Sequence, residues 1–274
     1  MKFALNNGVR VEATKGAKGL CPICGAELIS KCGEIKVNHW AHKGSRNCDP
    51  WWENETDWHR AWKNNFPKEW QEIIHTDENS GEKHIADVKT QKGWVLEFQH
   101  SFLDPEERRS REAFYSKLVW VVDGTRRKTD KPQFENAISK STVVTNNPRI
   151  QIRRVSSPDE CRLLKEWRDS NWPVFFDLQE TKDPKQSILW FLFPKILPTV
   201  AYIWPFPRQM FIEIHNQNKS DEIVRDTILP LHKELKELEN RIKIRNQNNV
   251  LAHTNRTFGF ERHFTNMQRR KRRF

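Results

Sequence analysis

Two acidic residues, Asp87 and Glu97, occupy a segment whose pattern predicts a tight β-hairpin. Both arms are rich in β-branched and aromatic residues, and Gly93 ends a three-residue connection of the kind that favours a positive φ at its last position. With that turn, Val88 pairs with Leu96, and Asp87 faces Glu97. Directly opposed side chains in a hairpin have Cβ atoms about 5 Å apart, so we expect the two carboxylates to repel each other.

Two carboxylates held together on an apolar hairpin need either a shared proton or a cation. Oxygen ligands at this separation suit Mg²⁺ or Mn²⁺. Gln99 falls on the same face as Glu97, because side chains alternate along a strand. The alternative is a solvated hairpin with two surface acids and nothing bound, since charged residues are mostly exposed.

A second group of residues predicts a structural zinc site near the N-terminus. Its four candidate ligands are Cys21, Cys24, His39 and His42. A Cys-x-x-Cys turn presents two thiolates to one ion, and two imidazoles complete a tetrahedron. The alternative is a redox Cys-x-x-Cys with unrelated histidines. Cys32 and Cys48 are left over, and either is a possible substitute for a histidine. An odd count of five cysteines favours metal binding over a disulfide framework.

A helix predicted over Glu53–Asn65 carries three polar residues with four-residue spacing. Glu55, His59 and Lys63 therefore share one face of the helix, and a separate apolar face can pack on a sheet. The alternative is ordinary surface charge with pairing along the helix. Because this helix directly precedes the acidic hairpin, we interpret Glu55 and His59 as candidate site residues.

The remaining elements must position these residues. The segment after the helix predicts a strand, then the hairpin, then a helix that Asp104 caps with Pro105 in its first turn, and then a fully buried strand. The order is thus helix, three strands, helix, strand, which predicts an α+β or α/β fold. Further apolar runs between residues 170 and 214 predict a β-rich region, and a charged helix follows.

Composition favours a polyanionic partner. The chain has 274 residues with 47 Lys and Arg against 36 Asp and Glu, a net charge of +11. The segment from His253 onward holds seven basic residues and one acid, including the run Arg269, Arg270, Lys271, Arg272 and Arg273. We expect this tail to bind nucleic acid, with an acidic protein partner or a solubility tail as alternatives. A few of the twelve Trp are expected to be exposed for base stacking. The sequence has no pattern of a secretory signal or membrane span, which predicts a cytoplasmic protein.

These motifs, taken in order, resemble the competence protein CoiA-like family. The matching segments are Ala4–Gly8, Cys21–Gly25, Gly33–His42, Glu55-x-x-x-His59, Asp87, Glu97–Ser101, Arg111-x-x-x-Tyr115 and Val119–Gly124, with weaker likeness at Pro173–Asp177 and Ile203–Ile212. The resemblance implies a zinc module followed by a PD-(D/E)xK nuclease-like core and a role in DNA uptake and recombination. It also implies Asp87 and Glu97 as metal ligands and Glu55 as a third carboxylate.

The implied organisation has five parts. They are a zinc-binding module over 1–50, an αβββαβ nuclease-like core over 51–157, a β-rich C-terminal domain over 158–218, a charged helix over 219–250 and a basic tail over 251–274. The general nuclease pattern ends in Lys, and here that position is Gln99. Since Gln supplies no positive charge, Lys63 or Arg111 would have to supply it and contact the phosphate.

These expectations describe a magnesium- or manganese-dependent DNA nuclease with a structural zinc site. In this interpretation Asp87 and Glu97 hold the cation, and His59 or Lys63 positions the nucleophile or contacts phosphate. One alternative is a non-enzymatic DNA-binding protein that holds DNA for a recombination protein. Another is a nuclease of antiviral defence, with the same chemistry in a different pathway.

Overall fold

The computed structural model describes residues 1–34, 37–44, 48–49, 51, 55–77, 81–145, 147, 150–179, 181, 183 and 186–248. The chain divides into two compact units, Met1–Ile223 and Val224–Phe274. Glu53, at the start of the predicted first helix, and the basic run Arg269–Arg273 lie outside the described residues.

The first unit begins with a five-stranded antiparallel sheet whose strand order is β2-β1-β3-β4-β5. Its strands are β1 Phe3–Asn6, β2 Val9–Glu12, β3 Lys18–Leu20, β4 Glu27–Lys31 and β5 His39–His42. A small apolar cluster around Leu28 and the almost fully buried Trp40 lies against this sheet. So small a core is marginal by itself, which is why a metal ion would add much of the stability here.

The next part has the predicted order of helix, three strands, helix and strand. Its elements are α1 Asp57–Lys63, β6 Gln71–Thr76, β7 Lys83–Lys89, β8 Val95–Gln99, α2 Pro105–Phe114 and β9 Leu118–Asp123. Asp104 caps α2, as predicted, because its Oδ1 accepts hydrogen bonds from the backbone N–H groups of Glu106 and Glu107. The element order agrees with the sequence prediction, but by itself it does not identify a nuclease.

The region predicted as a separate β-rich domain continues the same sheet. Three elements still precede residue 158: α3 Asp130–Ser139, β10 Thr142–Val143 and β11 Arg153–Val155. The predicted β-rich region itself contains α4 Arg162–Trp167, β12 Val174–Asp177, β13 Ile188–Leu192 and β14 Ala201–Pro207. The nine strands are ordered β10-β11-β14-β13-β12-β9-β8-β7-β6. Strand β12 is parallel to β9, so Asp177 lies beside Asp123. This long-range pairing joins strands from before and after residue 158 in one sheet.

Helices complete both units. The first unit ends with α5 Arg208–Asn216 and α6 Ser220–Ile223. The second unit opens with a π-helical stretch, Val224–Ile228, and residues 229–248 form an α-helix. Of the charged helix predicted over 219–250, residues 220–248 are helical. None of the described helices has the length and apolar content needed to cross a bilayer.

Candidate functional site

Four side chains of the N-terminal module form a cluster that can hold a zinc ion. Cys21, Cys24, His42 and Cys48 place their donor atoms within 4.8 Å of one another. The Sγ atoms of Cys21 and Cys48 are 3.8 Å apart, and His42 Nε2 lies 3.5 Å from Cys24 Sγ and 3.6 Å from Cys48 Sγ. A tetrahedral zinc ion with ordinary Zn–S and Zn–N bonds requires edges of about 3.8 Å and about 3.5 Å, so the cluster fits that ion.

This cluster corrects the predicted ligand set, because Cys48 takes the place assigned to His39. His39 and His42 lie three positions apart on strand β5, and side chains alternate across a strand, so the two imidazoles point to opposite faces. His39 instead pairs its Nδ1 with the carbonyl oxygen of Val37 at 2.9 Å. The sequence signal that could have excluded His39 is the strand pattern of this segment, because residues three apart on a strand face opposite sides and cannot bind one ion.

The surroundings of the Cys48 thiol oppose the loss of its proton. Burial and the neighbouring thiol of Cys21 raise the pKa of Cys48 to about 12. Three thiolates in one cluster repel each other, and a zinc ion would reverse that penalty, since metal ligands must be deprotonated.

A cavity of about 60 Å³ collects the site residues predicted in the core. It is lined by Glu55, His59, Lys63, Asp87, Glu97, Gln99 and Arg111, together with Met1, Asp49, Trp51, Glu72, Ile85 and Phe98. The volume is enough for a cation with a few water molecules. Residues separated by more than fifty positions in the sequence thus meet at one place in the fold.

The predicted hairpin positions the two central acids. Val88 pairs with Leu96, and Gly93 has a φ of +80° in the turn. The turn is closed by the backbone N–H of Thr90, which donates to the carbonyl oxygen of Trp94 at 2.8 Å. This register places Asp87 beside the strand that carries Glu97, and Asp87 Oδ2 accepts a hydrogen bond from the backbone N–H of Phe98.

Lys63 is buried among carboxylates instead of lying on a nucleic-acid-binding surface. Its Nζ is 2.9 Å from Glu55 Oε1, 2.9 Å from Glu72 Oε1 and 3.9 Å from Asp87 Oδ1. Burial alone would lower the pKa of Lys63, but these carboxylates, Glu72 first, raise it above the usual range. Lys63 therefore keeps a positive charge inside the cavity, although the predicted lysine position of the hairpin is occupied by Gln99.

Glu97 lacks a full set of partners. Its pKa is raised well above the usual value by burial and by the charge of Asp87, and Arg111 offsets only part of this. Arg111 Nη1 lies 3.6 Å from Glu97 Oε2, whereas Glu97 Oε1 has no hydrogen-bond partner. Glu55 Oε2 is likewise buried and without a partner. Buried carboxylate oxygens without partners are costly, so the cavity favours either a proton or a cation beside them.

Two lining residues, Glu72 and Asp49, were missed in the sequence. Glu72 adopts a left-handed backbone conformation with φ of +48°, and its carboxylate accepts hydrogen bonds from the backbone N–H groups of Lys2 and Phe3. Burial would raise the pKa of Glu72, but Lys63 and these donors lower it to about 2. A left-handed non-glycine residue inside a strand leaves no sequence signal.

Two features of the cavity do not favour a metal site: the side chain of Gln99 contacts the next loop, and the acids are widely spaced. The side-chain nitrogen of Gln99 lies 3.3 Å from the carbonyl oxygen of Ser101. Among the described residues, the Cys/His cluster is the one group of three or more Cys, His and acidic ligands with donor atoms all within 4.8 Å. The carboxylates of the cavity do not form such a group, because Lys63 lies among them.

The fold and sites define an α+β protein with a Cys₃His module beside an acidic cavity in a mixed sheet. Residues 7–50 match the family model described as the N-terminal domain of competence protein CoiA. Over these residues the chain is similar to that family, and the resemblance found in the sequence is confirmed there. Comparisons with curated proteins and with solved structures found no significant match for the chain.

Proposed function

We propose that the protein is a divalent-metal-dependent deoxyribonuclease of the CoiA-like type, with a PD-(D/E)xK-like core and a structural zinc site. The observation that carries this proposal is the cavity, where Asp87, Glu97 and Gln99 of the hairpin meet His59 of α1 and Glu55 just before that helix. The family match of the N-terminal module supports a competence-related role. A role in antiviral defence would use the same chemistry.

The residues of the cavity fit a magnesium or manganese ion. Glu97 Oε1 is buried and unpartnered, and burial, together with the charge of Asp87, raises the pKa of its carboxyl group. Hard divalent cations prefer such oxygen ligands, and Asp87 and Glu97 would hold the ion. When bound, the cation would polarise a phosphoryl oxygen and lower the pKa of a water molecule.

The protein side chains would supply position and charge. Lys63 is held charged beside Asp87 and would stabilise negative charge on the phosphate, the task that Gln99 leaves unfilled. His59 has its Nδ1 3.0 Å from the hydroxyl of Thr56, which orients the ring in the cavity wall, where it would position the attacking water. Arg111 would hold Glu97 in place through its 3.6 Å contact.

A second candidate is a non-catalytic DNA-binding protein that assists a recombination protein. It is favoured by the spacing of the acids, since Lys63 already neutralises Glu55 and Glu72 and the acids do not form a closed ligand group. In that case the cavity would be a buried structural ion cluster. The zinc module and the basic tail would then hold the DNA.

Cleavage separates the two candidates. The purified full chain should cut single-stranded, duplex or branched DNA when Mg²⁺ or Mn²⁺ is added, and a chelator should stop it. Asp87→Asn and Glu97→Gln should each abolish cleavage while leaving the fold intact, because both relieve repulsion in the cavity. Glu106→Gln, which removes an exposed acid of α2, is the matched control and should cleave normally.

Failure to cut any of these DNA forms with either metal would favour the DNA-binding candidate. Unfolding of Asp87→Asn would show that the acidic pair is structural and would remove the basis for the nuclease proposal.

A further inference from the structure

The loop after β8 places a histidine beside the cavity in a fixed orientation. His100 Nδ1 lies 2.8 Å from Asp123 Oδ2, so Nε2 is the ring nitrogen that remains for a ligand. The ring centroid of His100 is 5.9 Å from that of His59, which lines the cavity. The side chain of His100 is 36% exposed, so its ring is reachable from outside.

The two acids near His100, Asp123 and Asp177, already accept hydrogen bonds from neighbouring residues. Asp123 Oδ1 accepts hydrogen bonds from the backbone N–H and the hydroxyl of Thr125, both at 2.7 Å. Asp177 Oδ2 accepts the indole N–H groups of Trp58 and Trp62 at 3.1 and 3.0 Å. These carboxylates therefore serve as supports and not as cation ligands. Asp123 holds His100 directly, and Asp177 holds Trp58, whose ring lies 6.1 Å from that of His100.

The same loop exposes an aromatic ring. Phe102 is 57% exposed, and it is the one aromatic residue among the large apolar side chains that stay exposed in the described part of the chain. The expectation of exposed Trp residues is not met in that set. Leu103 is buried directly after Phe102, and Asp104 caps α2, so the loop is anchored on the C-terminal side of the exposed ring. Gln99 links the loop to the cavity through its contact with Ser101.

We propose that the loop His100–Phe102 binds an unpaired nucleotide next to the cavity, with His100 on its phosphate and Phe102 stacked on its base. Asp123 holds Nδ1 of His100, so Nε2 is the nitrogen directed to the phosphate, and an imidazole donates a hydrogen bond from Nε2 whenever it is protonated. An exposed aromatic ring stacks on any unpaired base but cannot reach the bases inside an intact duplex. The inference rests on the proposed function and adds its substrate class, a single-stranded or locally unpaired nucleic acid.

Binding to matched oligonucleotides tests this loop. The full chain carrying Asp87→Asn, which prevents cleavage, is titrated with a labelled single strand and with its duplex, and affinity is read by fluorescence anisotropy. Phe102→Ala should weaken single-strand binding about tenfold and duplex binding little. Phe102→Leu keeps apolar area without a π-face and should also lose single-strand preference. His100→Ala should reduce the log–log salt slope for the single strand by about 0.7, one phosphate contact.

Lys128→Ala, which removes an exposed charge outside the loop, is the control and should leave the ratio of single-strand to duplex affinity unchanged. Unchanged affinities and slopes in the Phe102 and His100 variants, with normal thermal unfolding, would overturn the loop proposal. If the unaltered chain cleaves DNA in that case, only the loop proposal fails. If the loop variants behave as expected but the unaltered chain never cleaves, the hydrolytic proposal fails and the loop stands as a nucleic-acid-binding site.

Discussion

At the scale of single residues, Lys63 determines the charge balance of the cavity. It is 3% exposed and neutralises Glu55 and Glu72, which are themselves buried. Removal of one partner from a buried ion cluster leaves an uncompensated charge, which costs much more than an exposed pair contributes. The same positive charge is the one that the hairpin lacks at Gln99. A single lysine on α1 therefore links the stability of the core to the proposed chemistry.

Lys63→Met should destabilise the protein by about 3–5 kcal/mol, because Glu55 and Glu72 would remain buried without their cation. Urea unfolding followed by circular dichroism would measure this change. Lys43→Met is the control, since Lys43 pairs with Glu27 at 3.0 Å on the surface and both side chains are more than two-thirds exposed. The control should change stability little. Equal stability of the two variants would contradict the assignment of Lys63 as the central ion.

Glu97 should make stability depend on pH in the protein without a divalent cation. Burial raises its pKa above that of an unfolded Glu, about 4.3. The folded state then binds the proton more tightly, so its stabilising contribution is complete below that pH. It is lost as the pH rises toward the higher folded pKa. Glu97→Gln should flatten this fall in stability, measured as the melting temperature between about pH 4 and about pH 8.

Magnesium provides the second readout for Glu97. A cation that binds only the folded state raises the melting temperature. The unaltered chain should therefore gain stability with added Mg²⁺ at neutral pH, and Glu97→Gln should gain less. Glu106→Gln should behave like the unaltered chain. A melting temperature that does not respond to Mg²⁺ would argue against a cation at Glu97.

At the scale of elements, strand β5 and the segment after it determine the zinc ligands. His42 and Cys48 belong to the cluster, whereas His39 points to the other face of the strand. Cys48→Ser should therefore lose bound zinc and lower the melting temperature, while His39→Ala should retain one zinc ion per chain. Metal content measured by mass spectrometry of the purified variants distinguishes them. Zinc loss in His39→Ala with retention in Cys48→Ser would restore the ligand set predicted from the sequence.

The zinc cluster also reaches the cavity through the residues that follow Cys48. Asp49 Oδ2 accepts the backbone N–H of Ile85 on β7, and Asp49 Oδ1 pairs with His84 Nδ1 at 3.0 Å. The carbonyl oxygen of Trp51 accepts a hydrogen bond from Arg111. A metal ion at Cys48 would thus stabilise the strand that carries Asp87 and the arginine that contacts Glu97. The zinc module is therefore attached to the very elements that build the cavity.

Local patterns predicted the parts of the site that local geometry determines. Gly93 and the alternation of side chains gave the hairpin register, and the four-residue spacing placed His59 and Lys63 on one face of α1. The prediction that Glu55 lies on the same helix is wrong, because Glu55 precedes the N-cap residue Thr56, although its carboxylate still reaches Lys63. The unpredicted parts depend on long-range contacts or unusual backbone. Cys48 joins the cluster only when the chain folds back, Glu72 needs a left-handed conformation, and β12 reaches its place through parallel pairing with β9. No spacing rule contains this information.

At the scale of the whole molecule, the net charge is distributed unevenly along the sequence. The segment from His253 onward carries +6 of the net charge of +11. Within the described core, many basic side chains are already paired, as Lys63 and Arg111 are. Long-range attraction to a polyanion should therefore come mainly from the tail, whereas the cavity and its loop should determine which strand is bound and where.

Deletion of the residues after Met267 tests this division. The run Arg269–Arg273 has no aromatic residue between its charges, so it can pair only with phosphates. Each neutralised phosphate releases counterions and contributes about −0.7 to −0.9 to the log–log salt slope of binding. The truncated chain should bind all DNA sequences more weakly, show a flatter slope, and retain cation binding and any cleavage at low salt. An unchanged slope after truncation would assign the tail to an acidic protein partner, because the phosphate contacts would then lie elsewhere.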